Sequence, residues 1–270
     1  MDHLGELVFV GLGLGSEKSI SLLGLEKAKT AEVLFAELYT SLLPELDLSK
    51  LEKLVGKRVQ LVSRHDLEED CGMMILTAAE KGGAVLLVPG DPLIATTHVD
   101  LRIRAQKKGI RTSIVHAASI VSAVTGLSGL QNYKFGRSVT IPFTDTGSVD
   151  ETPYNVIAQN RKTGLHTLCF LDLRVDEKRY MTIRDALEVL FGLEKRKHHR
   201  VITPDALAVG IARAGSENPT IKADFVRKLQ GFDFGKPPHS LVFPGKLHFM
   251  EVEALVTLAK APEKIREMAK

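Results

Sequence analysis

Five short apolar segments alternate with helical patterns through the first 117 residues, and that rhythm limits the folds open to this chain more than any other feature. "ELVFVGLGLG" reads as a strand running into a glycine loop, and "SLLGLEKAKTA" as the helix after it. "EVLFAEL", "KRVQLVS", "AVLLV" and "IRTSIVHA" read as the further strands. Between them fall the helical patterns "LSKLEKLVG", "LEEDCGMMILTAAEKGG" and "HVDLRIRAQKKG", the last two stopped at Gly82-Gly83 and at Gly109. Strand–helix alternation of this kind predicts a mostly parallel sheet with helices on both faces.

After Ala118 the rhythm changes. "SIVSAVTGLSGL" is a small-residue helix, and a loop region with "KFGRSVTIPF" follows. "TPYNVIAQNRKTG" reads as helix, "LHTLCFLDL" as strand and "MTIRDALEVLFGLEKR" as a longer helix. The last third holds strands "DALAVGIARAG" and "HSLVFPG", then the terminal helix "FMEVEALVTLAKA". A chain of 270 residues is long enough for two medium domains. The expectation is an α/β protein of two domains, residues 1–117 and 118–270, with the ligand cleft between them.

Composition removes several classes. A formal charge of +3 is too small to argue for nucleic acid. Cys71 and Cys169 lie far apart without CxxC spacing, which fits a reducing compartment, and Cys169 inside "HTLCFLDL" reads as a buried, inert thiol. No apolar run approaches bilayer length, so no membrane is expected. The start, "MDHLGELVFVG", opens with acidic residues rather than a basic leader, which points to a cytoplasmic protein.

The stretch "LLVPGDPLIATTH", residues 86 to 98, ends a buried strand in a carboxylate clamped between two prolines. Neither Pro89 nor Pro92 can extend a sheet ladder, and Gly90 permits angles closed to other residues. One reading is a strand stop before a helix capped by Thr96 or Thr97. The other is a ligand loop at the carboxyl edge of a parallel sheet, with Asp91 aimed off the strand end.

"GLGLGS", residues 11 to 16, misses the dinucleotide fingerprint because Ser16 stands where glycine is needed, and no acidic residue follows at the right distance. Its glycines still suit a loop on which a bulky ligand lies against the backbone. "EKRKHHR", residues 194 to 200, reads as a solvated helix end or as a patch for an acidic partner. Adjacent His198 and His199 diverge on a helix, and no other cluster has ligand spacing, so no metal is expected. Other strand ends carry His116-Ala117-Ala118-Ser119, Leu171-Asp172, Ala212-Arg213-Ala214-Gly215 and Pro237-Pro238-His239. They outline a cleft without a nucleophile or an acid–base pair, which favours a reaction activated by a cofactor.

Over nearly its whole length the chain resembles the diphthine synthases, a branch of the tetrapyrrole-methylase-like S-adenosylmethionine-dependent methyltransferases. The resemblance runs through "GLGLGSEKSISLLGLE", "AEVLFAELYTSLL", "PGDPLIATTHVDLRIRA", "VHAASIVSAVTGLSGLQNYKFGRSVTIPF", "HTLCFLDLR", "ARAGSENPTIKAD" and "PPHSLVFPGKLHF". It implies two α/β domains of the tetrapyrrole methylase type with the cofactor in the cleft between them, and commonly a homodimer. It implies repeated methylation of the amino group on a modified histidine of translation elongation factor 2. An amine nitrogen accepts methyls until its lone pair is used, so trimethylation is the expected endpoint, with a fourth methyl on the carboxylate as the alternative. By motif position it places S-adenosylmethionine contacts on Leu14, Asp91, Ile94, Ser119, Ile120, Leu171, Ala214 and His239, and it names no catalytic base. Arg137, Arg174 and Lys178 are candidates for gripping the elongation factor. The rival readings are a corrin or porphyrin precursor methyltransferase and a non-catalytic cofactor-binding regulator.

Overall fold

The computed structural model describes residues 5–145, 149–175 and 177–268. The chain divides into two compact units, one ending at Ile120 and one starting at Val121. Ser119 and Ile120 therefore belong with the first unit.

The first unit runs β1 (Glu6–Gly11), α1 (Leu22–Thr30), β2 (Val33–Glu37), α2 (Leu48–Val55), β3 (Gln60–Val62), α3 (Met73–Lys81), β4 (Gly83–Val88), α4 (Val99–Lys107) and β5 (Arg111–Val115). The strands form one sheet in the order β3-β2-β4-β1-β5, and every pairing is parallel. Both faces are covered, because successive strand residues point to opposite sides and both sets are apolar. Leu7, Phe9 and Leu86 pack with Ile75 and Leu76 of α3 and Leu101 of α4. Val8, Val10 and Leu87 pack with Ala28 of α1 and Leu51 and Val55 of α2. β1 and β4 are neighbours, and the helices that follow them lie on opposite faces of the sheet.

Local chemistry sets the helix ends. Ser21 caps α1 by accepting from the Gly24 amide, and Asp47 caps α2 by accepting from Lys50. Gly56 ends α2 at φ +77°, where only glycine avoids strain. The pattern "LEEDCGMMILTAAEKGG" is not one helix. A π-helical turn spans His65–Glu69, and Cys71 and Gly72 are both left-handed (φ 57° and 64°), so α3 starts only at Met73. Two successive left-handed residues break a right-handed helix whatever the apolar periodicity around them.

The second unit holds α5 (Ile120–Ser128), whose first residue belongs to the first unit, then β6 (Val139–Ile141), α6 (Thr152–Lys162), β7 (Thr167–Leu171), β8 (Leu173–Arg174), β9 (Arg179–Tyr180) and α7 (Ile183–Lys197). β10 (Leu207–Ala212), β11 (Thr220–Phe225), α8 (Val226–Leu229), β12 (His239–Phe243) and α9 (Phe249–Thr257) follow. Its sheet has the order β11-β10-β12-β7-β6, antiparallel except for the β6–β7 pair. β6 lies inside the stretch expected to be loop, and its three residues are too few to show a period. β11 carries no clear strand signal either, because only alternate residues at its end are buried. Ile183, Leu187 and Leu190 of α7 cover Cys169, Ala208 and Leu241 of the sheet. Cys169 is fully buried, and burial pushes its thiol pKa up, which keeps it inert. No helix among the described residues is long and apolar enough to cross a membrane.

Candidate functional site

At the carboxyl edge of the parallel sheet the β1 and β4 loops are stitched together. The Gly13 amide donates to the Gly90 carbonyl (3.2 Å), and the Gly90 amide returns a bond to the Gly13 carbonyl (2.8 Å). Gly13 and Gly90 both sit at positive φ, +71° and +69°. A Cβ on Gly11 would lie 2.5 Å from the Gly90 oxygen and 2.6 Å from the Ala117 Cβ. One on Gly13 would lie 2.7 Å from the Ser19 Cβ. These two glycines are therefore required by the close approach of the protein's own chain, not by space for a ligand alone. Leu14 lies over Gly90, its Cδ2 4.0 Å from where a Cβ on that glycine would stand.

Asp91 is buried and its carboxylate is spent inside the protein. Oδ1 accepts from the Leu93 amide (3.3 Å), while Oδ2 accepts from the Ala117 amide (3.3 Å) and faces His116 Nδ1 (2.7 Å). The carboxylate thus fastens the β4 loop to the β5 loop, and the Ile94 amide bonds the Asp91 carbonyl (3.3 Å). Ile94 itself is 43 % exposed, an aliphatic surface beside this turn. Ser119 is buried and directly precedes α5, which Ile120 opens. Of the expected contact residues in this unit, Asp91 and Ile94 share the turn after β4, and Leu14 lies over that turn from the loop after β1. The Asp91–Ala117 bond brings the segment leading to Ser119 and Ile120 beside them.

The expected threonine caps do not exist. His98 occupies the cap position of α4 without a side-chain bond, Thr96 Oγ1 donates to the Pro92 carbonyl (2.8 Å), and Thr97 Oγ1 donates to Glu68 (3.4 Å). His98 instead reaches across the sheet end: its Nε2 is 3.1 Å from Glu37 Oε1 at the end of β2, with both side chains buried. Glu37 also accepts from the Tyr39 and Thr40 amides (3.1 Å each) and from the Thr40 hydroxyl. That network fixes the far end of the Asp91 loop. Nothing local in the sequence signals it, since its partners are 61 residues apart.

Tyr39 lies against this network, 7 % exposed, with no hydrogen-bond partner for its hydroxyl among the described residues and the Arg64 guanidinium 5.4 Å from its ring centre. Burial pushes the phenol pKa up. An unsatisfied buried hydroxyl costs stability, so Tyr39→Phe is expected to leave the melting temperature unchanged or raise it. A thermal melt of the two proteins at neutral pH checks this; a fall of several degrees would show that the hydroxyl is satisfied in solution.

In the second unit the remaining expected residues gather at one sheet edge. His239 opens β12 opposite Ala212 of β10, and Leu171 ends β7 beside it. The Arg213 amide donates to the Pro238 carbonyl (2.9 Å), which holds the Ala214 turn against β12. Arg213 sits at φ 52°, and its guanidinium pins it there by donating to the carbonyls of Phe234 (2.9 Å) and Lys236 (2.6 Å) and to Thr220 Oγ1 (2.8 Å). His239 Nδ1 accepts from the Ile183 amide (3.3 Å), which leaves Nε2 as the donor to the Gly235 carbonyl (3.1 Å). That pairing requires the neutral ring, and burial lowers the His239 pKa accordingly. Both ring nitrogens are committed. Ser216 Oγ, two residues beyond Ala214, is buried with no partner among the described residues.

The basic run is an exposed helix end, with Lys195, Arg196 and Lys197 in the last turn of α7. α7 stops at His198 (φ 55°), and Glu194 folds back on the segment that follows. It accepts from the amides of Arg200 (2.7 Å), Val201 (2.8 Å) and Ile202 (2.7 Å) and from the Tyr154 hydroxyl (2.8 Å). Arg174 pairs with Asp145 (3.0 Å) and Glu177 (3.5 Å), whereas Arg137 and Lys178 are exposed. One cluster of metal-type ligands occurs among the described residues, His65, Asp66 and Asp70. His65 pairs with Glu69 and Asp70 (3.3 Å each), and Asp66 accepts from Ser63.

Comparison with known proteins gives this edge its context. The tetrapyrrole (corrin/porphyrin) methylases match residues 6–230. A diphthine synthase of Methanosarcina acetivorans is 52 % identical over 97 % of this chain and 98 % of its own. That of Methanocaldococcus jannaschii is 46 % identical over 94 % of this chain and 99 % of its own. A crystal structure of diphthine synthase superposes with a TM-score of 0.89 at 43 % identity, covering 98 % of this chain and all of that one. With strand-end turns in both units at the positions its motifs mark, and full-length likeness at about half identity, the chain belongs to the tetrapyrrole methylase family and, within it, to the diphthine synthases, which are methyltransferases.

Proposed function

We propose that the protein transfers methyl groups from S-adenosylmethionine to the amino group of the modified histidine of translation elongation factor 2, forming diphthine in diphthamide biosynthesis. The observation that carries this is the 52 % identity to a diphthine synthase along essentially the whole of both chains. The cytoplasm is the compartment this reading assigns, and a homodimer the assembly.

The residues fit the methyl donor. The Gly13–Gly90 stitch sets two glycine backbones at the end of the parallel sheet, with Leu14 beside them, the kind of place where open α/β folds bind ligands. Ser216 Oγ, buried and without a partner among the described residues, is a polar atom near Ala214 left for a ligand to satisfy. Because the Asp91 carboxylate and both His239 ring nitrogens are committed internally, these residues contact the donor through main-chain atoms and ring surface. Leu14, Ile94, Ile120, Leu171 and Ala214 supply apolar contact, and Ser119 a polar one. When bound, the donor supplies an electrophilic sulfonium methyl. The chain's task is to hold the accepting nitrogen in line with that methyl and to exclude water.

Intact-mass analysis tests the reading. Elongation factor 2 carrying the unmethylated aminocarboxypropyl-histidine is incubated with the protein and S-adenosylmethionine. A gain of three methyl groups that requires the donor is the expected result. No gain, with donor binding confirmed by calorimetry, would favour a tetrapyrrole substrate or a regulatory role.

A further inference from the structure

Resting on that reading, we propose that His116 is the proton acceptor for the substrate amine. A primary amine of the α-amino type is substantially protonated near neutral pH, and in that form it has no lone pair to attack with. Some group must take its proton before the first transfer. Each transfer short of the last yields an alkylammonium that must lose a proton again.

His116 is built for this. Its Nδ1 lies 2.7 Å from Asp91 Oδ2, and an ionised carboxylate only accepts, so in the neutral ring Nδ1 carries the hydrogen and Nε2 is bare. Asp91 is itself fixed by the Leu93 and Ala117 amides, so it orients the imidazole rather than following it. The result is a buried carboxylate, an oriented imidazole and a free Nε2, the same division of labour that makes histidine a base in hydrolytic triads. The side chain is 72 % exposed, so Nε2 is open to an incoming partner. Asp91 is the only charged side chain bonded to it among the described residues.

A purely structural role explains less. The Ala117 amide already joins the β4 and β5 loops through Asp91, so a further bond from a largely exposed imidazole adds little to that junction. His116 also sits three residues before Ser119, on the segment that carries two of the expected donor contacts.

The balance of the step is simple. The ammonium nitrogen gives its proton to His116 Nε2, and the freed lone pair forms the new N–C bond. The C–S bond of the donor breaks as it forms, the sulfur keeping that pair as a neutral thioether. The imidazolium, held by Asp91, returns its proton to solvent before the next round.

His116→Asn separates the alternatives, because the asparagine amide keeps a donor for Asp91 at the Nδ1 position and removes Nε2. The expected outcome is unchanged S-adenosylmethionine affinity by calorimetry and a turnover on the aminocarboxypropyl-histidine form of elongation factor 2 reduced by about 10²–10³-fold at pH 7. The defect should shrink as pH rises above the pKa of the amine, where a base is no longer needed, and added imidazole should restore turnover to His116→Ala. Nitrogen NMR of the wild type at alkaline pH should show His116 protonated at Nδ1 and bare at Nε2. Turnover of His116→Asn within about threefold of an active wild type would overturn the proposal alone, as would a defect independent of pH. An inactive wild type would overturn it together with the functional reading.

Discussion

Gly11→Val is expected to abolish measurable binding of the methyl donor while leaving the second unit folded. A Cβ at this position meets the Gly90 carbonyl at 2.5 Å, the Ala117 Cβ at 2.6 Å and the Pro92 Cδ at 3.1 Å. Two of those three neighbours belong to the β4 turn, and the third to the segment that Asp91 fastens. A carbonyl oxygen on a strand end is not the flexible tip of a side chain and has nowhere to retreat. Overpacking of this kind typically costs about 1–3 kcal/mol, and here relief comes by parting the ends of β1 and β4. The Gly13–Gly90 pair is the first contact to go. Titration calorimetry with S-adenosylmethionine checks the result, and Gly11→Ala should give a smaller loss in the same direction. Wild-type affinity in Gly11→Val would mean that this edge does not hold the donor.

The second large effect concerns stability. Glu251→Ala is expected to destabilise the second unit by about 3–5 kcal/mol, because it orphans a set of converging donors. Glu251 is completely buried at the start of α9. Oε1 accepts from the Gln131 amide (2.9 Å) and His166 Nε2 (2.8 Å), while Oε2 accepts from the His248 amide (2.8 Å) and Lys134 Nζ. His166 is fixed in turn, its Nδ1 accepting from the Gly245 amide (2.9 Å). Burial alone would raise the carboxyl pKa, but these donors outweigh it and bring the pKa down to about 2.

The sign of the pH dependence follows. A carboxylate whose pKa is lower in the folded than in the unfolded chain contributes its full stability above about 4.5, the ordinary glutamate value, and loses it as pH falls toward 2. Burial lowers the His166 pKa below its ordinary 6.5, so protons also favour the unfolded chain there, and stability begins to decline below that pH. Acid unfolding monitored from pH 7 to 2 should therefore be steep in the wild type. It should flatten below pH 4.5 in Glu251→Gln, which has no carboxylate to protonate. Equal slopes would remove Glu251 from the account.

Much of this architecture is legible in the residues alone. The parallel five-stranded sheet follows from apolar segments spaced by helical patterns, because its three inner strands, covered on both faces, are apolar at nearly every position. The inert Cys169 follows in the same way. The motif positions, "GLGLGS", "PGDP", "HAAS", "ARAGS" and "PPH", are readable as strand ends, where glycine and proline interrupt the ladder. β6 and β11 are not legible there, since one is too short to show a period and the other is only partly buried.

What the strand-end side chains do was decided by tertiary structure. Sequence alone left open whether Asp91 works through its carboxylate; three donors from two loops occupy it. Thr96 and Thr97 looked like caps, yet His98 holds that position and pairs with Glu37 from another strand. Gly11 and Gly13 read as room for a ligand, and the folded chain adds a requirement of its own, the close approach of Gly90, Ala117 and Ser19. The physical reason is common to all three. Periodicity records burial, which each residue carries in its own polarity, whereas a hydrogen bond or a close approach depends on a partner that only the folded chain brings within reach.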